Sequence, residues 1–202
     1  MTKLSLRRLL PLLPLLAIGC QNAPAEPMPN ELTPEAMMAR IVELGTPGPG
    51  HARLAPLVGI FDCAGEFWLD PSGASSPLNG TSVHTALFDG RYLQQSFAGT
   101  FDGKPFQGLG YTGFNNASGK YEGMWMDSMG TLIVPPSSGT VDATGKVITF
   151  MRTMDDPITG RSATTREVLT IESNDRHSLE AFMVEPDGTE TRFMRFTYTR
   201  KE

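Results

Sequence analysis

From Gly59 onward the chain alternates apolar and polar residues in short runs broken by turn residues, the pattern of half-buried strands. Runs fall at 60–69, 79–88, 91–99, 105–114, 120–127, 131–134, 139–141, 146–154, 162–172, 176–185 and 190–200. The run 139–141 reads as strand or loop, so about ten strands are expected. Between them stand "DPSG", "FDGR", "FDGK", "NNASG", "DATGK" and "EPDGTE", each rich in residues that reverse the backbone. Such short links favour antiparallel neighbours, and about 150 residues in this form suffice for one barrel with its own core. The expected fold is all-β, a single antiparallel up-and-down barrel over 59–202.

The period changes upstream. In "TPEAMMARIVELG", Thr33 suits an N-cap and Pro34 the first helical position, with Met37, Ile41 and Leu44 on one side of a short helix. A further helical turn is expected at "HARLAPLVG", its apolar side made of Leu54, Leu57 and Val58. Residues 33–58 thus form a helical segment ahead of the barrel.

The first residues, "MTKLSLRRLLPLLPLLAIGC", pair a basic start with an apolar run of about half the ~20 residues a membrane span needs. Residues 1–19 read as a signal peptide. "LAIGC" resembles a bacterial lipobox, which implies lipidation of Cys20 and a tether over the Pro-rich residues 20–32. Gln21 after the cysteine implies sorting to the outer membrane. The expected location is the bacterial cell envelope, as an outer-membrane lipoprotein facing the periplasm.

Removing 1–19 takes three of the 17 Lys and Arg, leaving 14 against 22 Asp and Glu, a net charge of -8. Without a basic cluster, nucleic acid is excluded as a partner. Only Cys63 then remains, so the folded chain contains no disulfide, and "GIFDCAGEFW" reads as a strand burying a small apolar thiol.

"YEGMWMDSMG" (121–130) raises the question of faces. Alternation puts Tyr121, Gly123, Trp125 and Asp127 on one side and Glu122, Met124, Met126 and Ser128 on the other. Both sides are apolar and both end polar. His84, Gln94, Gln95, Arg152, Arg166, Glu167, Glu180 and Arg195 likewise interrupt apolar runs. A barrel holding some polar groups inside would read this way, with either a ligand cavity or an internal salt-bridge network.

The segments "HARLAPLVGIF", "DGRYLQQSFAG", "KPFQGLGYTGFNN", "YEGMWMDSMGT", "DDPITGR" and "MRFTYTRK" resemble, in order and spacing, the DUF1579 family over about His51 to Arg200. Phe61 stands where that family's "LVGxW" has Trp, and "GFNN" replaces "GYDN". The family has no established activity. A looser similarity is to calycin barrels, whose entry signature Gly-x-Trp corresponds to Gly59-Ile60-Phe61. It implies an arginine of the last strand over that aromatic, either Arg195 or Arg200.

Other motifs lose their usual meaning in this context. "GLGYTG" (108–113) spells a dinucleotide fingerprint, but a turn and a strand follow it instead of a helix. Its glycines are expected at a strand bend covered by Phe106 and Tyr111. "NGT" and "NAS" are read as turns. Ser128 has no elbow and no positioned histidine, which argues against a serine hydrolase. His51, His84 and His177 lack metal-site spacing, so neither zinc nor haem is expected. Asp127–Ser128 is left as turn cap or cavity rim.

The expectation is non-catalytic binding of a small, partly apolar ligand, with no cofactor or metal. Candidate ligand-binding residues are Trp125, Asp127, Tyr111, Arg166, Gln95 and His84. The alternative is a filled barrel acting as a structural or interaction module of the envelope. Oligomeric state is not legible.

Overall fold

The computed structural model describes residues 33–70 and 72–202. The signal peptide, the lipidated cysteine and the tether read above fall outside the described residues. Helix α1 (Pro34–Gly45) is followed by the short helix α2 (Pro49–Ala52), a 3-10 turn at Ala55–Leu57, and ten strands. These are β1 (Gly59–Phe67), β2 (Ser76–Leu87), β3 (Tyr92–Phe101), β4 (Lys104–Asn115), β5 (Lys120–Asp127), β6 (Val134–Val141), β7 (Val147–Asp155), β8 (Ser162–Ile171), β9 (Arg176–Val184) and β10 (Glu190–Arg200). Each pairs antiparallel with its sequence neighbours, and β1 closes on β10. The antiparallel up-and-down barrel expected from the alternation is the fold.

Local chemistry accounts for the elements. The Thr33 hydroxyl accepts from Ala36 N at 3.2 Å and caps α1. Asp142 and Asp156 accept backbone amides within their own hairpin turns. The runs 131–134 and 139–141 are not two strands: β6 spans 134–141 through Pro135 and Pro136. The register with β5 slips between Gly123 and Trp125, where these prolines have no N–H to donate.

Strand parity assigns the inner wall. The β1 residues Phe61 and Cys63, Ser82 and His84 of β2, and Leu93 and Phe97 of β3 point inward and are buried. So do Ile148 and Phe150 of β7, and Phe196 and Tyr198 of β10. One end is closed. There Leu54 and Leu57 pack on Leu93, Tyr121, Ile148, Phe150 and Ile171, and the Tyr121 hydroxyl donates to Gly50 O at 3.0 Å. Arg200 locks this end. It lies 4.6 Å over the Phe61 ring and donates to Val58 O and Pro56 O, both at 2.9 Å, and to Asn174 O. Gly59 permits the lock: its φ is +143°, and a Cβ there would come within 2.0 Å of Arg200 Nη1. Of the two arginines the calycin likeness offered, Arg200 fills the role. Arg195 is on the outer wall, paired with Glu66 at 2.7 Å.

Candidate functional site

The ends of β1, β3, β5, β7 and β9 and the starts of β2, β4, β6, β8 and β10 form the other, open end of the barrel. There β4 contributes two glycines to the inner wall. A Cβ on Gly108 would come within 2.0 Å of Trp125 Cζ2, and one on Gly110 within 2.8 Å of Cε3. The indole therefore lies flat over bare backbone. This corrects the expected strand bend: β4 runs unbroken from Lys104 to Asn115, Phe106 faces inward, and Tyr111 points outward. The space is filled by Trp125.

Asp127 answers the question of faces that β5 raised by doing two jobs. Its Oδ2 accepts the Trp125 indole N–H at 2.9 Å, and its Oδ1 accepts Met129 N at 2.9 Å. It caps the turn and fixes the ring on the inner wall. Ser128 closes the same corner, its Oγ accepting Gln107 N at 3.0 Å. Neither residue stands beside a base arranged for acyl transfer.

Two strands along from β5, the β7 parity that buries Ile148 and Phe150 carries Arg152 inward as well. Arg152 donates from Nη1 to Glu167 Oε1 at 2.9 Å and from Nε to Pro135 O at 2.8 Å. The two side chains are 10% and 22% exposed, so the pair is desolvated yet reachable from the mouth. Among the described residues Nη2 makes no hydrogen bond, so it remains available as a donor.

The proposed ligand residues divide in three. Trp125 and Asp127 face inward at the mouth. Gln95 and His84 also face inward but belong to a buried network in mid-barrel: Gln95 donates to Ser82 Oγ at 3.0 Å, and Ser82 Oγ lies 2.8 Å from His84 Nε2. Tyr111 and Arg166 are on the outer wall and line no cavity. Arg166 pairs there with Glu190 and lies over Phe182. The sequence alone does not separate Arg166 from an inward-facing arginine, because β8 mixes apolar and polar residues on both faces and its parity is ambiguous. Counting from Ile148 would have selected Arg152.

The mid-barrel network contains two histidines that stay neutral. His177 stacks on Tyr198 at 4.4 Å, and its ring centre lies 5.4 Å from that of His84. Burial, aided by Arg200, pushes His84 down to about 4. Burial, then His84 and Arg200, pushes His177 down to about 3. The unfolded chain takes up protons near pH 6.5 that the folded chain refuses, so the histidine contribution is complete above that pH and is lost on acidification. Each histidine costs about 1.4 kcal/mol per pH unit until its own folded value is reached. We expect the urea midpoint to fall between pH 7 and pH 4.5, and His177→Phe to flatten that slope. An equal slope in the variant would contradict the assignment. Cys63 lies in the same layer, its thiol raised to about 12 by burial, and is inert as a nucleophile. Among the described residues, no three metal-ligating side chains gather.

Residues 46–200 match the model of DUF1579, a protein family of unknown function. The match covers most of the chain, which belongs to this family. Among curated proteins there is no significant match. Among solved structures, the chain is similar to Rv2717c from M. tuberculosis at 19% identity, covering 78% of this chain and 100% of that one with a TM-score of 0.57. It is also similar to the S-type phycobiliprotein lyase CPES from Guillardia theta at 11% identity, covering 77% and 99% with a TM-score of 0.52. At these identities the likeness establishes the fold alone.

Proposed function

We propose that this DUF1579 barrel holds a small apolar molecule bearing a carbonyl or carboxylate, seated in its open mouth. The observation that carries this reading is the pairing of a fixed aromatic wall with a reachable inner arginine. Trp125 is pinned over Gly108 and Gly110, and Arg152 keeps a free amino group for an acceptor. Phe101 and Met194 pack, as Trp125 does, against the apolar cluster below the mouth. The rim is apolar as well, with Leu69, Met129, Ile133 and Ile158 between 58% and 85% exposed on loops at this end. An apolar rim around a polar anchor suits entry of an amphipathic molecule. The site is shallow, because Phe61, Ser82, Ile148 and Ala181 are fully buried and side chains fill the closed half.

That filling also favours a second reading, a barrel that acts only as a scaffold. Titration with 11-(dansylamino)undecanoic acid separates the two. Saturable binding is expected, weakened about tenfold or more by Arg152→Gln and unchanged by Arg166→Gln on the outer wall. No saturable binding, or equal binding by all three proteins, would favour the scaffold.

We read the chain further as a lipid-anchored envelope protein of the outer membrane, facing the periplasm. The "LAIGC" stretch before a Pro-rich tether supports this reading. Cys20→Ser is expected to move the protein out of the membrane fraction. A variant retained there at wild-type level would contradict the anchor.

A further inference from the structure

Helix α1 has no buried residue, yet it is strongly two-sided. At 100° per residue Met37, Met38, Ile41 and Val42 share one side, Arg40 and Glu43 take the other, and Glu35 borders the apolar side next to Val42. The four apolar residues are 49%, 60%, 62% and 62% exposed. A helix whose apolar side merely completed the core would bury it against the barrel; this one turns it away. The helix is nonetheless seated. Arg91 Nε donates to Gly45 O at 2.9 Å, and Asn116 Nδ2 donates to Leu44 O and Thr46 O, both at 2.9 Å. These bonds fix its C-terminal end at the closed end of the barrel.

We infer that the apolar side of α1 lies on the lipid surface to which Cys20 is anchored, so that the barrel sits with its closed end toward the membrane and its mouth away. The inference rests on the lipid-anchor reading, and the distance between anchor and helix commits it to lipid. Twelve residues separate Cys20 from Thr33. Thirteen Cα steps reach at most about 45 Å. The anchor therefore holds α1 at the bilayer, where a weak apolar contact becomes an intramolecular event. No helix among the described residues is long and apolar enough to cross a membrane, and α1 has the two-sided character of a helix lying in the interface. Its polar side, with Arg40 and Glu43, faces away from the headgroups, and Glu35 stands at the boundary. The contact is apolar, so zwitterionic lipid suffices.

The test uses the lipidated full-length protein in phosphatidylcholine vesicles, with bimane on Val42→Cys or, on the opposite side, on Ala36→Cys. Cys20 is acylated and Cys63 is buried, so only the new thiol reacts. Doxyl-labelled lipid is expected to quench the Val42 probe severalfold more than the Ala36 probe, and Ile41→Glu is expected to abolish the difference. Equal quenching at both positions would overturn the inference. So would a Val42 probe shielded without vesicles and increasingly so with protein concentration, which would mean that a second copy covers the face. Failure of the anchor reading looks different: the protein would lack acyl mass on Cys20 and would not float with vesicles.

Discussion

Trp125→Ala is expected to lower stability by about 3 kcal/mol and to eliminate binding at the mouth, the larger of the two losses in functional terms. The indole lies directly over Gly108 and Gly110, so its removal leaves a groove of bare backbone rather than a site that can collapse. Chemical denaturation gives the first number, and titration of the variant with the dansylated acid gives the second. Gly108→Ala approaches the same site from the other side. Its Cβ would meet the ring at 2.0 Å and push it from the wall, costing about 2 kcal/mol. Asp127→Asn keeps the shape, but an amide oxygen accepts only one of the two N–H groups that the carboxylate now serves. It is expected to free the ring and weaken binding while leaving the strands in place. Binding at wild-type strength in all three variants would remove Trp125 from the site.

The second large effect belongs to the closed end. Arg200→Met is expected to destabilise the barrel by about 3 kcal/mol, because a charged donor that serves three backbone carbonyls is replaced by one that serves none. Arg200→Lys should recover part of this, since an ammonium cannot reproduce the planar fork over Phe61. Gly59→Ala is expected to behave like a weak form of Arg200→Met, through both the contact at Nη1 and the positive φ. Urea midpoints for the three variants check the order. A wild-type midpoint for Arg200→Met would show that Leu54 and Leu57 seal this end alone.

The strand pattern carried the fold because turn residues and alternation repeat between Gly59 and Arg200, and an up-and-down barrel needs little else. β6 was harder, since Pro135 and Pro136 read as a break where the strand only bulges. The site was partly legible. Trp125 and Asp127 share parity with Tyr121, whose burial fixes their face inward. Tyr111 and Arg166 were misplaced because β4 and β8 carry large apolar residues on both faces. Phe106 and Phe114 face inward beside an outward Tyr111, and Leu169 stands next to an outward Val168. In such strands only the register with a neighbour decides the face. The apolar side of α1 was legible as a stripe, but a stripe does not state what covers it. Arg152 and Glu167 were visible as charges within apolar runs, and their pairing across β7 and β8 required the closed sheet.

The central claim is that the mouth holds a molecule, and native mass spectrometry of the protein isolated gently from its own membranes tests it most directly. A discrete added mass, beyond that of the acyl anchor, is expected on the wild type and on Arg166→Gln, and is expected to be absent from Arg152→Gln and Trp125→Ala at matched folded fraction. A wild-type protein that appears only as the anchored chain, or an added mass that survives both inner-wall substitutions, would contradict the account.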